Sequence, residues 1–271
     1  MSEAEAIVRS KEPVTVDLLT KNLHQLGLNT GDLVLVHSSL SALGWVNGSA
    51  HAVILALENI LGSDGTLVMP THSSELSDPA LWQNPPVPEN WVEVVRATMP
   101  GFDPELTATR GMGIIPETFR KQNGVLRSNH PKFSFAARGP LAAQITANHA
   151  LESDLGEGSP LAHLYDLDGK VLLLGVGHGN NTSLHLAEYR AEFPSKTIQR
   201  NGTAIFQNGQ SQWIWYDSLE ISDEDFPKIG EAFGNIPGNV ARGKVGEGVA
   251  LLFKQRELVD FAVEWMQRHR L

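Results

Sequence analysis

The chain has 271 residues, 41% hydrophobic and 19% charged, enough to bury a substantial core within a single domain. It contains no cysteine, which excludes a disulfide framework, a thiolate metal site and a cysteine acyl-enzyme, so any covalent nucleophile has to be an oxygen. A formal charge of -10 with a pI near 5.4 argues against a nucleic-acid or anionic-membrane surface, and it either welcomes a cationic small molecule or merely keeps the protein soluble.

Met1 to Pro13 carry Glu3, Glu5, Lys11 and Glu12 without an apolar run, unlike a secretory signal, and no stretch reaches the length of a membrane span. A cytoplasmic protein is expected. Thr15 is placed to cap a helix whose apolar positions Leu18, Leu19, Leu23 and Leu26 recur at helical spacing up to Gly27. Leu33 to Val36 reads as a buried strand ending at His37. Ser49 is expected to cap a helix over Ala50 to Leu61, and Thr66 to Met69 reads as the next strand. This β-α-β order predicts a partly parallel sheet.

Periodicity then fails from Pro70 to Pro104, where six prolines beyond Pro70 and the tryptophans Trp82 and Trp91 interrupt the chain. A long irregular segment in a compact domain is usually functional, and residues 70–105 read as a substrate-side lid. Glu75, Asp78, Glu89, Glu93, Asp103 and Glu105 fall within it, relieved only by Arg96. Val171 to Leu174 is a fully apolar strand, followed by a glycine-rich turn and a helix over Thr182 to Phe193. Residues 196–271 change character. Thr203 to Phe206 and Trp213 to Tyr216 flank Asn208-Gly209, a hairpin signal, and Glu257 to Arg270 closes the chain as an amphipathic helix. A second acidic stretch holds Asp217, Glu220, Asp223, Glu224, Asp225 and Glu231.

The reading that results is one mixed α/β domain over 1–271, with a central, partly parallel sheet flanked by helices and a smaller C-terminal hairpin and helix portion. The composition leaves monomer and homodimer both open.

Chemistry concentrates in Gly175-Val-Gly-His-Gly-Asn-Asn-Thr-Ser-Leu-His-Leu-Ala-Glu188. Glycines 175, 177 and 179 free the backbone, and Asn181 or Thr182 can cap the new helix. His185 and Glu188 lie three residues apart on one helical face near its positive end. Such a pair suits a base with its orienting carboxylate, and equally an ordinary surface pair. His37 with Ser38, Ser39, Leu40 and Ser41 would project from the carboxyl edge of the first strand, where parallel sheets bind ligands, or would simply make a strand-ending turn. Arg110-Gly111-Met112-Gly113 can offer an arginine and backbone amides to a phosphate, or serve as a plain loop-to-helix junction. His130, before Pro131, reads as a structural turn residue.

The ordered set His37-Ser-Ser-Leu40, Arg110-Gly-Met-Gly113, Arg127-Ser-Asn-His-Pro131 and Asn181-Thr-Ser-Leu-His-Leu-Ala-Glu188 resembles the aminoglycoside 3-N-acetyltransferase, or antibiotic N-acetyltransferase, family. Gly243-Lys-Val-Gly246 and Leu258-Val-Asp-Phe-Ala262 extend the resemblance over nearly the whole chain. It implies a fold unlike that of the commoner acetyltransferases, acetyl-CoA as co-substrate, and no metal. His185, Glu188 and His37 are then the expected catalytic residues. The 37–41 and 110–113 segments would hold coenzyme A, and Thr71, Glu75, Asn181, Glu188 and Asp217 would hold the aminoglycoside. In one departure, some aminoglycoside-active members carry an aspartate just before this helix, where Asn180 and Asn181 stand here.

The same residues admit other readings. Ser38 or Ser39 could be the nucleophile of a serine hydrolase, although no G-x-S-x-G elbow is present. Gly175-x-Gly-x-Gly179 could be a dinucleotide turn, although the third glycine of that fingerprint would fall at Asn180. A non-catalytic polyamine binder would suit the acidic lid, and a member of the same family could act on another amine.

Overall fold

The computed structural model describes residues 3–271. A short helix α1 (Glu3–Arg9) precedes α2 (Val16–Leu26), which Thr15 caps by accepting from the Leu18 amide at 3.3 Å and which Gly27 ends in the left-handed conformation. β1 (Leu33–Ser38) leads to α3 (Ser49–Leu61) and then β2 (Thr66–Pro70). Ser49 is the first helical residue rather than the cap, because the chain enters through a left-handed Gly48 whose lack of a side chain leaves no capping hydroxyl. The 70–105 segment is not wholly irregular. It contains α4 (Val92–Thr98), missed because its seven residues leave too few turns to show a period.

Next come α5 (Ile114–Phe119), β3 (Leu126–Arg127), β4 (Phe135–Arg138), α6 (Ala142–Thr146) and α7 (Pro160–Asp166). β5 (Lys170–Leu174) and α8 (Ser183–Arg190) follow, then the hairpin of β6 (Ile198–Gln207) and β7 (Gln210–Leu219). The chain closes through α9 (Phe226–Gly234), β8 (Ala241–Val245), β9 (Gly248–Lys254) and α10 (Gln255–His269).

Seven strands form one sheet in the order β3-β4-β2-β1-β5-β9-β8. β1 is central and pairs in parallel with both β2 and β5, while β4 and β9 join these antiparallel and β3 and β8 form the edges. Alternate residues of the central strands face opposite layers, so each strand is buried on both sides and reads as a continuous apolar run. Val34, Val36, Leu67, Met69, Leu172 and Leu174 pack with α2, α3 and α5. Leu33, Leu35, Val68, Val171 and Leu173 pack with α6 to α10. The result is a three-layer α/β/α arrangement.

The tail is shared out rather than set apart. β6 and β7 form their own two-stranded sheet, turning at Asn208 and Gly209 with φ of 53 and 77°, whereas β8 and β9 complete the central sheet. The hairpin is stapled to the 70–105 segment: Thr203 Oγ1 donates to the Leu76 carbonyl at 2.8 Å and the Phe102 amide to the Ala204 carbonyl at 3.1 Å. Beneath it, Asp154 accepts from Ser218 at 2.6 Å and faces His130 Nε2 at 3.1 Å. His130 also accepts two backbone amides, from Lys132 and Phe133, and so is the structural turn residue its context implies. Among the described residues, no helix is long and apolar enough to cross a membrane.

Candidate active site

Three histidines converge at one sheet edge because three parallel strands end there. His37 lies near the end of β1, His72 two residues beyond β2, and His178 in the turn after β5, all buried. This is the carboxyl edge, where ligands of parallel sheets bind. The turn after β5 is tight. Gly175 has φ 73°, and a Cβ there would stand 2.6 Å from the Ala42 Cβ, so this glycine is required, whereas Gly177 has an ordinary negative φ.

The turn delivers α8, whose start is fixed by Asn181. The Asn181 side-chain oxygen accepts from the Ser183 amide at 3.2 Å, and its amide nitrogen lies 3.4 Å from His178 Nδ1. One turn later, His185 Nδ1 meets Glu188 Oε2 in a short contact. The Glu188 carboxylate is 1% exposed, and its other oxygen accepts from the Ser222 amide at 3.0 Å and the Arg270 guanidinium at 2.5 Å. An ionised carboxylate only accepts, so His185 Nδ1 carries the proton and Nε2 is its basic nitrogen. The ring is braced by Phe226, 4.7 Å away between centroids. A buried carboxylate with three donors is not an ordinary surface pair.

His37 Nε2 lies 3.4 Å from Thr182 Oγ1 at the start of α8. Burial holds His37 down to about 3, with the positive forms of His185 and His178 opposing its charge as well. Burial lowers His178 to about 4, and lowers His72, again through burial first, well below the ordinary range. These three rings are therefore neutral near pH 7 and act as hydrogen-bonding groups rather than as acids.

Two cavities lie beside the segments expected to bind ligands, and none of the three histidines lines either of them. One, of about 590 Å³, is lined by Leu40, Ser41, Trp45 and Ile114 together with Glu3 and Ala6 of α1. Leu40 and Ser41 of the 37–41 segment line it, whereas of the 110–113 region only the following residue, Ile114, does. α1 closes over it, with Trp45 Nε1 donating to Glu3 at 3.0 Å and Arg9 to the Ser41 carbonyl at 2.6 Å. The other, of about 430 Å³, is lined by Glu75, Trp82, Asn84 and Arg110. The exposed Gly111 and Gly113 and the half-buried Met112 line neither cavity.

The remaining expected residues fall less neatly. Thr71 is buried, with its hydroxyl 3.2 Å from that of Ser134. Glu75 keeps one buried oxygen without a hydrogen-bond partner, and the Ser38 hydroxyl is likewise unpartnered. Ser39 is occupied: its amide donates to the Leu174 carbonyl at 3.0 Å and its hydroxyl meets that of Ser41 at 3.3 Å. Neither serine is therefore paired with a histidine base, which removes the support for a serine-hydrolase arrangement. Asp217 sits exposed on β7 opposite Arg200 and lines neither cavity. Part of the acidic lid is consumed internally. Asp78 holds Arg96 through two contacts of 2.9 and 2.7 Å, and Asp103 accepts from the Glu105 and Leu106 amides.

The sequence reading missed His72, Ser222, Phe226 and Arg270. His72 carried a usable signal, being a histidine just beyond a buried strand like His37. The other three are brought in by tertiary packing from 34 to 82 residues away.

The family model described as aminoglycoside 3-N-acetyltransferase matches residues 35–267. The chain belongs to this family. It is 47% identical over 254 residues to the SPbeta prophage-derived aminoglycoside N(3')-acetyltransferase-like protein YokD of Bacillus subtilis (strain 168), covering 93% of this chain and 92% of that protein. A crystal structure of YokD superposes with a TM-score of 0.95, at 98% coverage of both chains. Aminoglycoside N(3)-acetyltransferase VII of Streptomyces paromomycinus is 36% identical over 98% of this chain and 96% of its own length. AAC-IIIb, solved as a binary complex with CoASH, is 30% identical with a TM-score of 0.85, covering 96% of this chain and 98% of that one. An aminoglycoside 3-N-acetyltransferase-type enzyme is thus what the family supports, and its fold is the mixed α/β arrangement above.

Proposed function

We propose that the chain transfers the acetyl group of acetyl-CoA to the 3-amino group of the 2-deoxystreptamine ring of an aminoglycoside, by direct attack in a ternary complex, and so confers resistance. The observation that carries this reading is the contact of the half-buried His185 with the buried Glu188 on α8, the helix that follows the carboxyl end of β5. The relative in complex with CoASH supports the donor, and the named activity of the Streptomyces relative supports the acceptor.

The residues of the cavity formed by Leu40, Ser41, Trp45 and Ile114 fit a long, partly apolar arm, and the unpartnered hydroxyl of Ser38, the last residue of β1, fits a carbonyl oxygen. When bound, acetyl-CoA supplies an acyl carbon activated by its thioester. Leu40 and Trp45 would hold the arm, and the Ser38 hydroxyl would donate to the carbonyl oxygen as negative charge grows there. On the other side Glu75, with its spare oxygen, attracts a cationic sugar ring against Trp82. His185 Nε2 takes the proton released as the amine nitrogen bonds to carbon, while Glu188 keeps the ring oriented and offsets the imidazolium charge. That proton goes from the imidazolium to the sulfur as the carbon–sulfur bond breaks, so that the leaving group departs as a thiol and His185 is again neutral. His37, neutral at working pH, accepts or donates a hydrogen bond from the β1 end and fixes Thr182 beside the ring.

Thiol release should appear when acetyl-CoA is mixed with gentamicin-like, neomycin-like or apramycin-like amines, with the product carrying the acetyl group on the 3-amine. Release without acylated amine, or acylation at another nitrogen, would contradict the proposal.

A further inference from the structure

Glu188 needs compensation that His185 alone does not give, because a buried carboxylate without several donors is strongly disfavoured. A fixed positive charge comes from Arg270, the residue that follows α10. Leu258, Val259, Ala262 and Met266 bury one face of this helix in the core, and the Arg270 amide donates back to the Met266 carbonyl at 2.9 Å. Arg270 is thereby aimed at the site. Its guanidinium donates to Glu188 at 2.5 Å, to both oxygens of Asp225 at 2.6 and 2.8 Å, and to the Ser222 carbonyl at 3.0 Å, with Phe193 5.2 Å beneath it. Burial opposes its charge, but the bonds to Asp225 and Glu188 outweigh it and hold the group above its ordinary range. Arg270 lies outside the segment that the family model matches.

We propose that Arg270 is a positioning residue for the acetyl transfer, locking the Glu188 carboxylate against His185 and limiting how much negative charge that base feels. This rests on the reading of His185 as the base. Glu188, Asp225 and Arg270 together carry one net negative charge, enough to stabilise one imidazolium without trapping it. The other titratable groups facing the pair are His37 from β1, His72 from beyond β2 and Tyr189 on α8. The first two are neutral, and burial raises Tyr189 out of the working range, so none of them cancels a change at Arg270.

Two substitutions shift the charge in opposite directions. Arg270→Ala leaves two negative charges beside His185, so the acidic limb of the kcat profile should move up by about one pH unit. The alkaline plateau should fall about tenfold as Glu188 loses its anchor, with KM for both substrates within about twofold. Asp225→Asn frees Arg270 for Glu188 and should move the limb down. Arg270→Lys keeps the charge and should restore most of the limb position. Imidazole nitrogen NMR of the ligand-free protein should show the His185 ring titrating at higher pH in the alanine variant than in the unaltered chain. A limb and ring titration unmoved in both the Ala and Asn variants would overturn the proposal, whatever the loss of rate. If Arg270→Ala does not fold, the Asn and Lys variants decide alone. Full activity in a His185→Ala control would instead overturn the reading of the base, with the NMR comparison still testing Arg270.

Discussion

Lowering the pH from about 7.5 to 5.5 should destabilise the fold sharply, because the structure buries several histidines as neutral rings. His37 and His149 are held down to about 3 and His178 to about 4, in each case by burial first, against an ordinary value of 6.5. All three folded values lie below the unfolded one. The stabilisation is therefore complete above pH 6.5 and is lost as pH falls towards the folded values, because the unfolded chain binds protons that the folded one refuses. At pH 5.5 an unfolded histidine is about nine-tenths protonated, which costs the folded state about 1.4 kcal/mol relative to neutral pH. Three such rings give about 4 kcal/mol, and His72, lowered in the same direction, adds to it. That is a large part of the roughly 5–15 kcal/mol that holds a typical domain together. Carboxylates titrate mostly below this window, so they do not mask the effect. Urea unfolding at the two pH values measures the difference directly. Equal or greater stability at pH 5.5 would show that these rings are not held neutral as the packing implies.

Ser38→Ala should lower kcat by about a hundredfold while leaving the melting temperature unchanged, if the free hydroxyl stabilises the developing oxyanion; steady-state kinetics with a thermal melt checks both halves. Trp45→Ala removes one wall of the cavity over Leu40 and Ser41, so KM for acetyl-CoA should rise with kcat little changed, and a matched fall in kcat would count against that placement. Gly230→Ala sets a Cβ 2.1 Å from the His178 ring, and α9 should lose about 1–3 kcal/mol of packing, read as a lower urea midpoint.

Much of the sheet was legible because its central strands are apolar on both faces and bounded by turn residues. β1, β2 and β5, the cap at Thr15 and the Asn208-Gly209 turn all follow from local chemistry. β3 has two residues and β4 four, too short to display alternation, and β9 resembles β5 in pattern while pairing with it antiparallel, which no local signal dictates. The site was half legible for the same reason. Helical spacing alone brings His185 to Glu188, and a strand end alone presents His37. Arg270 and Ser222 reach Glu188 only through the docking of α10 and the approach to α9 against α8, and the pairing of Asp78 with Arg96 similarly needed three dimensions. The acidic lid therefore carries less free charge than its composition implies.

The central claim is that His185 takes the amine proton during acetyl transfer. The most direct measurement is the turnover of His185→Ala with saturating acetyl-CoA and aminoglycoside, alongside binding of both. Turnover should fall by roughly two to four orders of magnitude with binding retained, the size of a lost general base, whereas turnover equal to that of the unaltered chain would contradict the account.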